Sequence, residues 1–452
     1  DYYPDRGGAS MGGRALDPME FDARELQGKF RELRNPLPEF TVLGGMMITL
    51  TDAKHLLRVT KSFASWKHGM KLVLRYFADR LQGYHRGTRT LLGNALAGRL
   101  FARAVALGVP YRLNTNVRAL LRDDPRNPER VTGVEVQSPQ GTERFTARKG
   151  VVLATGGFPW DPAMRQAHYP QPTGPYSMSP AGNTGDGIRM AQQAGGQLAT
   201  GNSSPAFWAP VSVLQRPGGE PLRYPHLVWD RAKPGLIAVN AAGQRFVNES
   251  TSYHEFVLGM YRSHQQVPSI PAYLLCDSNF IETWGLGLAL PGGRPRQHLE
   301  QAGYLHKATT LEALAQQLGL PAKALQTTVD EYNRHAAQGQ DPAFGKGSTA
   351  YNQYLGDPEH QPNPCLAPLQ KGPFYAVKVF PGDIGTALGL QTDVHARVLN
   401  AQGQPIEGLY AAGNDQNSVM GGAYPGPGIT LGPALTFGWI AAMHMAHPDT
   451  AA

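Results

Sequence analysis

Near its carboxyl end the chain combines glycine, tyrosine and polar residues in a pattern that could bind a flat, charged ring. The sequence reads Gly408-Leu-Tyr-Ala-Ala-Gly-Asn-Asp415 and, after five intervening residues, Gly421-Gly-Ala-Tyr-Pro-Gly-Pro-Gly-Ile-Thr-Leu-Gly-Pro433. This pattern predicts a strand, a glycine turn, a polar loop and a helix over 435–443. Glycines let backbone approach a ring closely, and the helix directs N–H groups and its dipole at the loop. The segment therefore predicts a flavin-binding loop, with a structural turn as the alternative.

The spacing Gly426-x-Gly428-x-x-x-Gly432 resembles a dinucleotide-binding fingerprint. That fingerprint lies directly between a strand and a helix of an early βαβ unit, with an acidic residue about 20 residues further on. Here a polar loop intervenes and the sequence ends after the helix. We therefore reject this interpretation.

Length and cysteine content limit the class of protein. A chain of 452 residues is long enough for two or three domains. No run approaches 18 apolar residues, so no transmembrane helix is predicted. Cys276 and Cys365 lie far apart and lack a neighbouring His or a CxxC partner. This predicts free thiols in a reducing compartment, and hence a cytoplasmic location, with no metal site.

The formal net charge of +7 raises the question of an anionic partner. Basic residues concentrate mildly in the segment 54–80 without interleaved aromatic nucleic-acid motifs, so no nucleic-acid partner is predicted. A solvated helix face is the favoured interpretation, and a peripheral membrane contact is the alternative if the substrate is lipid-like. The cations concerned are Lys54, Arg58, Lys61, Lys67, Lys71, Arg75 and Arg80.

Local patterns divide the chain into three segments. Residues 1–204 alternate predicted helices and strands, and include an apolar strand that runs from Val151 into Gly156-Gly157. Residues 205–372 contain short strand-like pieces, Pro-rich loops and two capped helices. Strand-rich sequence resumes at 373 and continues to 452. We predict an α/β protein in which a discontinuous cofactor domain, 1–204 and 373–452, is interrupted by an α+β cap domain over 205–372.

Four blocks occur together in order: Ala154-Thr-Gly-Gly157, Asn183-Thr-Gly-Asp-Gly187, Pro381-Gly-Asp-Ile-Gly385 and Ser418 to Pro433. They resemble the fumarate reductase/succinate dehydrogenase-type FAD superfamily, and the last block resembles its 3-ketosteroid Δ1-dehydrogenase branch. The match covers essentially the whole chain. The resemblance implies a Rossmann-like FAD domain, FAD as cofactor, an apolar steroid-like ketone as substrate and an electron acceptor as a further partner.

The resemblance also implies which residues would contact FAD. Val117 would pair its backbone with the adenine edge, and Asp186 would be a polar contact, with an ordinary helix cap as its alternative role. The other implied contacts are Ala154, Thr155, Gly156 and Gly157 beside the dinucleotide, Gly413 and Asn414 at the ribityl chain, and the backbone N–H groups of Ile429, Thr430 and Leu431 at the N1–C2=O edge of the flavin.

In that branch a ketone is polarised, a proton leaves the adjacent carbon and a hydride passes from the next carbon to the flavin. Tyr424 and the backbone N–H of Gly428 match the donors to the ketone oxygen, where negative charge builds. Tyr253 matches the base. Tyr2 matches a tyrosine that supports it, because a phenol with a pKa of about 10 is a weak base unaided. Packing is the alternative role of each tyrosine, and His254 is an alternative base.

Two related reactions compete with this assignment. Fumarate-reducing relatives hold a dicarboxylate with fixed cations. By resemblance they carry Arg at the position of Tyr253, His in the block 385–389 and Arg in the loop 426–430. This chain has none of these cations there, which favours a neutral ketone. Δ4-(5α)-dehydrogenation of a steroid would use the same cofactor and similar tyrosines, and it stays open.

Relatives begin with a βαβ unit that carries G-x-G-x-x-G and an acidic ribose ligand, and this sequence lacks that first βαβ. We expect that the sequence starts after the unit and that this chain alone binds FAD weakly or not at all. A truncated, non-catalytic fragment is the alternative from another functional class. The intact tyrosines and glycine loop argue against it.

Overall fold

A computed structural model describes residues 2–10, 16–37, 41–60 and 62–447. The chain divides into two compact units: Leu16–Asn114, and Asp1–Ala15 together with Thr115–Ala452. The fold is the mixed α/β architecture that the sequence predicts. Both cysteines are buried free thiols.

The unit Leu16–Asn114 is mainly helical. Short strands pair as two antiparallel ladders, β1 (Phe21–Asp22) with β4 (Arg89–Thr90) and β2 (Thr41–Val42) with β3 (Met46–Met47). A 3-10 helical segment, Ala23–Glu32, follows β1. The α-helices of this unit are α1 (Leu50–Leu57), α2 (Phe63–Leu81) and α3 (Leu92–Ala106).

The apolar residues of segment 51–84 have helical spacing, which predicts one helix, but the structure contains two. Thr49 begins α1 with a capping box to Asp52, and the helix ends at Leu57. A Cβ on Gly69 of α2 would lie 3.3 Å from a methyl of Leu56, so the two helices pack closely. The helix predicted from Thr88 begins later, at Leu92, because the chain first forms β4.

The described residues of the larger unit form three sheets. One is antiparallel, in the order β5 (Asn116–Leu121), β6 (Gly133–Ser138), β7 (Gly141–Thr146). A second has the order β15 (Arg397–Leu399), β16 (Pro405–Ala411), β8 (Val151–Leu153), and its β16 and β8 run parallel. The third is antiparallel in the order β10 (Leu222–Pro225), β9 (Ala206–Leu214), β14 (Phe374–Thr386), β12 (Ala272–Cys276), β11 (Leu236–Val239), with β13 (Leu305–Ala308) also on β14.

Helices surround these sheets. They are α4 (Pro162–His168), α5 (Asp186–Gln193), α6 (Tyr253–His264), α7 (Ser278–Thr283), α8 (Gln297–Gln301), α9 (Leu311–Leu318), α10 (Ala322–Ala336), α11 (Ala350–Leu355) and α12 (Leu431–Ala446). The sequence predicts a capping box of Thr309 and Glu312 at the start of α9 and a helix end at Gly319. In the structure Thr310 is the cap instead and accepts from the N–H of Ala313, whereas Gly319 ends the helix in the left-handed conformation as predicted. Within the described ranges, no helix is long and apolar enough to cross a bilayer.

The main core lies between the large antiparallel sheet and α6. Trp208, Leu274, Val377 and Phe256 belong to it, all fully or almost fully buried. Strand β14 begins the predicted segment 373–452 but pairs with β9 and β12 of the predicted segment 205–372. One sheet therefore includes both segments, and the domain division at these residues stays a prediction.

Candidate active site

Three tyrosines that lie far apart in sequence form a chain of hydroxyl groups, which we call the tyrosine cluster. The Tyr2 hydroxyl donates to that of Tyr253 over 2.9 Å, and the Tyr253 hydroxyl donates to that of Tyr424 over 2.7 Å. The pairs are separated by 251 and 171 residues of sequence, so only the tertiary fold brings them together. The direction of these bonds leaves the Tyr424 hydroxyl proton available to a further acceptor.

Backbone elements fix each ring of the cluster. Tyr253 is the first residue of α6, a helix that Ser252 caps by accepting from the N–H of Glu255. The N–H of Tyr2 donates to the carbonyl of Pro425, which joins the chain start to the loop that carries Tyr424. The rings of Tyr2 and Tyr424 stack at 5.4 Å, and Phe207 of β9 packs edge-on against Tyr424 at 5.5 Å.

Burial raises the pKa of all three hydroxyl groups. Tyr253 and Tyr424 are 6% and 3% exposed. Burial raises the pKa of Tyr424 to about 12, and it raises the pKa of both Tyr2 and Tyr253 further. A phenolate in this cluster therefore needs stabilisation from hydrogen bonds and from positive charge. The N-terminal end of α6 supplies part of it, because the helix dipole favours a negative charge at Tyr253.

A buried arginine lies beside the cluster. Arg231 is 1% exposed, and its guanidinium donates to the carbonyls of Glu249 (2.8 Å) and Thr251 (3.1 Å), in the loop that leads into α6. It also donates to the carbonyls of His226 and Leu227. Burial raises the pKa of Tyr2, and the positive charge of Arg231 acts against that increase. Arg231 therefore anchors the segment before Tyr253 and supplies a permanent cation nearby.

His254, the alternative base, makes a different contact. Its Nδ1 accepts from the backbone N–H of Trp208 over 3.2 Å, and its ring lies 5.7 Å from that of Tyr424. Burial lowers the pKa of His254 to about 4, so the ring is neutral and its second nitrogen carries the proton. This contact joins β9 to α6, and the role of His254 as an alternative base stays a prediction.

A second group of predicted residues lies where two parallel strands end, and we call these segments, 154–157 and 412–415, the strand-edge turns. The buried carboxylate of Asp415 accepts from the N–H and the hydroxyl of Thr155 and, over 2.9 Å, from the N–H of Gly157. Gly156 and Gly157 both have positive φ angles, +91° and +74°, which favour glycine. One carboxylate therefore holds both turns in place.

The glycine-rich loop before α12 borders these turns. A Cβ on Gly413 would lie 3.5 Å from that of Ala434 in the first turn of α12, whereas a Cβ on Gly428 (φ +86°) would meet nothing within 4 Å. Thr430 precedes α12 without a side-chain cap bond. In the first turn, the N–H of Gly432 donates to the carbonyl of Gly428 over 2.8 Å, and Pro433 has no N–H. A backbone-lined edge at the carboxyl ends of parallel strands, next to a helix N-terminus, fits a dinucleotide flavin.

Two predicted cofactor residues lie outside the strand-edge turns themselves. Val117 is on β5, in the antiparallel sheet, where it pairs with Val136. Asp186 is the first residue of α5, half exposed and paired with Arg189. Its neighbour Gly187 packs on the turn, since a Cβ there would lie 2.6 Å from the Thr155 hydroxyl.

Sequence reasoning missed three residues of the site. Asp415 directly follows the predicted Asn414, and a carboxylate after a glycine turn was the available signal. Tyr351 of α11 packs 4.7 Å from the ring of Tyr2, and Arg231 lies beside the cluster. Neither has a local sequence pattern that indicates these positions.

This fold and site define an FAD-dependent oxidoreductase. A family model described as an FAD binding domain matches residues 11–431, and the chain belongs to that family. Its cofactor is FAD, and it is a dehydrogenase of this flavin-dependent class.

Two named relatives and one solved structure show which dehydrogenases this chain resembles. The chain is 39% identical to 4-oxocyclohex-2-ene-1-carboxylate 5-dehydrogenase of Sinomonas cyclohexanicum, over 99% of this chain and 75% of that protein. It is 35% identical to 3-oxosteroid 1-dehydrogenase of Mycolicibacterium smegmatis, over 99% and 77%. The crystal structure of 3-ketosteroid Δ1-dehydrogenase from Sterolibacterium denitrificans, in complex with 1,4-androstadiene-3,17-dione, superimposes with a TM-score of 0.90 at 39% identity. That match covers 99% of this chain and 80% of the other.

Proposed function

We propose that this enzyme introduces a carbon–carbon double bond next to the ketone of an apolar cyclic substrate of the 3-ketosteroid type. The observation that carries the proposal is the hydroxyl chain of the tyrosine cluster, with distances of 2.9 and 2.7 Å. A ketone oxygen and the hydrogen on its neighbouring carbon are about as far apart as two hydrogen-bonded hydroxyls. Tyr253 and Tyr424 can therefore contact both of these atoms in one substrate molecule.

In this proposal Tyr424 donates to the ketone oxygen, because its proton is not used within the cluster. The backbone N–H of Gly428, four residues further on, is the proposed second donor. The open space around Gly428 supports this role, since a side chain there would enter the substrate position. Both donors act on the oxygen where charge builds as the adjacent C–H bond breaks.

Tyr253 is the proposed base for the adjacent carbon. Its phenolate would accept from Tyr2, and the α6 terminus and Arg231 would add positive potential. The chemistry that FAD supplies when bound is acceptance of the hydride from the next carbon. The strand-edge turns, with Gly413, Asn414 and the N–H groups of Ile429 to Leu431, are the proposed holders of the cofactor. Val117 and Asp186 stay proposed contacts.

The charge distribution supports a neutral substrate. Arg231 is the arginine described beside the cluster. Its guanidinium already donates to four backbone carbonyls and has little capacity left for a carboxylate. A dicarboxylate such as succinate would need fixed cations in this place. The proposal therefore favours an apolar ring ketone over an anionic one.

Anaerobic loss of flavin absorbance tests this function. Protein supplied with excess FAD is mixed separately with a 3-keto-4-ene steroid, 4-oxocyclohex-2-ene-1-carboxylate or succinate. We expect the steroid to reduce the flavin fastest. Reduction by succinate alone, or by none of the three while FAD is bound, would contradict the proposal.

Product analysis separates the Δ1 and Δ4 reactions. With an artificial dye as electron acceptor, a 5α-3-ketosteroid is converted and the position of the new double bond is determined. A double bond between the first and second ring carbons supports the proposal, and one at the fourth carbon supports the rival. A cytoplasmic location of the enzyme stays a prediction.

A further inference from the structure

Helix α2 exposes a continuous apolar face. The buried face of this helix carries Ser65, Gly69, Leu72, Tyr76 and Asp79. The opposite face carries Phe63 (77% exposed), Trp66 (46%), Met70 (36%), Leu74 (60%), Phe77 (52%) and Leu81 (89%). The helix therefore has two apolar faces, and only one of them reaches the protein core.

These six side chains form a stripe because their spacing follows the helical repeat. Successive members are three or four residues apart, and the stripe extends about 27 Å along the 19-residue helix. Single exposed hydrophobic residues are ordinary on protein surfaces, but a contiguous row of large ones marks an interaction site. We call this row the α2 stripe.

The charges that border the stripe are positive. Lys67 and Lys71 lie along one side and Arg80 along the other, all exposed. Neither lysine pairs with a carboxylate among the residues that the structure describes. The one acidic residue of α2, Asp79, is 1% exposed and bonds to Arg24 and Thr88. The solvent-facing side of α2 thus combines apolar surface with cations and no carboxylate.

A groove extends the apolar surface at the start of the helix. It has a volume of about 570 Å³ and is lined by Val59, Thr60, Ser62, Phe63 and Trp66. Trp66 lies where the groove meets the stripe. An indole ring is suited to the boundary between water and lipid, because its body is apolar and its N–H remains available to polar partners.

We propose that α2 is an interfacial helix, which binds a membrane surface containing anionic lipids with the α2 stripe inserted at the level of the headgroups. Amphipathic helices with aromatic and aliphatic residues on one face and flanking lysines bind in this way. The proposal does not rest on the dehydrogenase function. It would, however, place the enzyme where an apolar ketone substrate is most concentrated.

The flanking charges favour lipid over a second copy of this chain. Two α2 helices packed stripe to stripe would bring cationic borders together with no exposed carboxylate on either helix. An anionic lipid surface instead neutralises both borders. Each lysine or arginine near such a surface contributes roughly a fivefold increase in binding at low salt.

Co-sedimentation with vesicles tests the proposal. The protein is mixed with phosphatidylcholine vesicles, with and without phosphatidylglycerol, at low and high salt. We expect binding to the mixed vesicles that weakens as salt rises. Leu74→Glu should reduce that binding at least about tenfold, because it places a charge in the stripe. The double change Lys67→Glu and Lys71→Glu should also reduce it at least about tenfold, on the mixed vesicles only.

Matched variants elsewhere serve as controls. Val394 is 77% exposed in the other unit, so Val394→Glu should leave vesicle binding unchanged, as should Lys323→Glu with Lys371→Glu. The stripe is exposed, so all variants should keep the thermal midpoint of the native chain. The emission of Trp66 is obtained as the difference between the native chain and Trp66→Phe. We expect this emission to shift to shorter wavelength when vesicles are present.

Two results would overturn the proposal. One is equal vesicle binding by the native chain and Leu74→Glu. The other is self-association without lipid that Leu74→Glu abolishes, because a second copy would then occupy the stripe.

Discussion

The tyrosine cluster and the strand-edge turns are built in opposite ways. The cluster uses side chains from three distant parts of the chain, buried and linked through their hydroxyls. The turns use backbone: three glycines at positive φ, exposed Ala154 and Thr155, and one buried carboxylate that holds them. This difference predicts what kind of substitution would impair each region. Loss of one hydroxyl should change chemistry without changing the fold, whereas loss of one carboxylate should loosen a whole binding edge.

The largest effect should come from Tyr424→Phe. This change removes a proposed donor to the ketone oxygen and keeps the ring that packs against Tyr2 and Phe207. Removing one such donor from an enzyme typically slows the reaction about 100- to 1,000-fold. Anaerobic flavin reduction by the steroid measures the rate. The thermal midpoint and FAD content should stay close to those of the native enzyme.

Tyr410→Phe is the matched control. The Tyr410 hydroxyl bonds to His444 over 2.9 Å, outside the cluster. Its loss should leave flavin reduction almost unchanged. A rate for Tyr424→Phe within about twofold of the native rate would assign Tyr424 to packing and remove the contrast between the two regions.

Asp415→Asn should produce the reverse pattern. Asp415 accepts three hydrogen bonds from Thr155 and Gly157, and an amide in its place turns an N–H donor toward at least one N–H donor of the turn. An unsatisfied buried group of this kind costs about 2–3 kcal/mol. We expect a lower thermal midpoint and weaker FAD binding, measured by titration of FAD into the native and variant proteins.

Asp393→Asn provides the comparison for that loss. Asp393 also accepts from two backbone N–H groups, but it is more exposed than Asp415 and lies away from the turns. This variant should lose less stability and keep its FAD binding. Equal FAD binding by both variants would show that Asp415 does not organise the cofactor edge.

Local pattern explains how much the sequence predicted. Helix α9, the apolar strand β8 and the helix after the glycine loop all follow from spacing and turn residues. The family resemblance, rather than local pattern, supplied the candidate tyrosines. Asp415 and Arg231 were missed because their roles depend on hydrogen bonds to segments far away in sequence or on burial.

The α2 stripe shows a different limit. Leu72 and Tyr76 are buried while Leu74 and Phe77 are exposed, although all four are large and apolar. Hydrophobic periodicity predicts a helix from such residues, but it cannot select the face that packs when both faces are apolar. The sequence alone therefore favours a solvated basic face for this segment, whereas in the structure its cations border an apolar one.

A smaller effect, on stability alone, should distinguish His254 from the tyrosines proposed to be catalytic. Burial lowers the pKa of His254 to about 4, whereas the unfolded chain takes up the proton near 6.5. Its contribution is complete above pH 6.5 and is lost as the pH falls toward 4. By pH 5 the loss is about 2 kcal/mol. His254→Asn keeps an acceptor for the Trp208 N–H, so its urea-unfolding free energy should vary less over this range.

The exposed His298 supplies the control for this measurement. His298→Asn should keep the acid sensitivity of the native protein. The same acid loss in His254→Asn as in the native protein would mean that another buried group titrates there.

The smallest effect, and the one that sharpens the comparison most, concerns Arg231. Arg231→Gln removes the buried charge beside Tyr2 and Tyr253, so the phenolate of the proposed base becomes harder to form. We expect kcat/KM at neutral pH to fall about tenfold and its rise with pH to move to higher pH. Arg231→Lys keeps the charge but has too few donors for four carbonyls, so it should lower the thermal midpoint and largely retain the pH profile.

Comparison of these two variants separates charge from anchoring. If Arg231 only anchors the loop before Tyr253, both variants should lose stability and neither should move the pH profile. Arg334→Lys, at an exposed position of α10, is the control for replacing an arginine with a lysine. A shifted profile in Arg231→Gln alone would show that the cluster, unlike the turns, depends on a charge it does not touch through any side-chain hydrogen bond. The buried cation would then be part of how this chain makes a phenol act as a base.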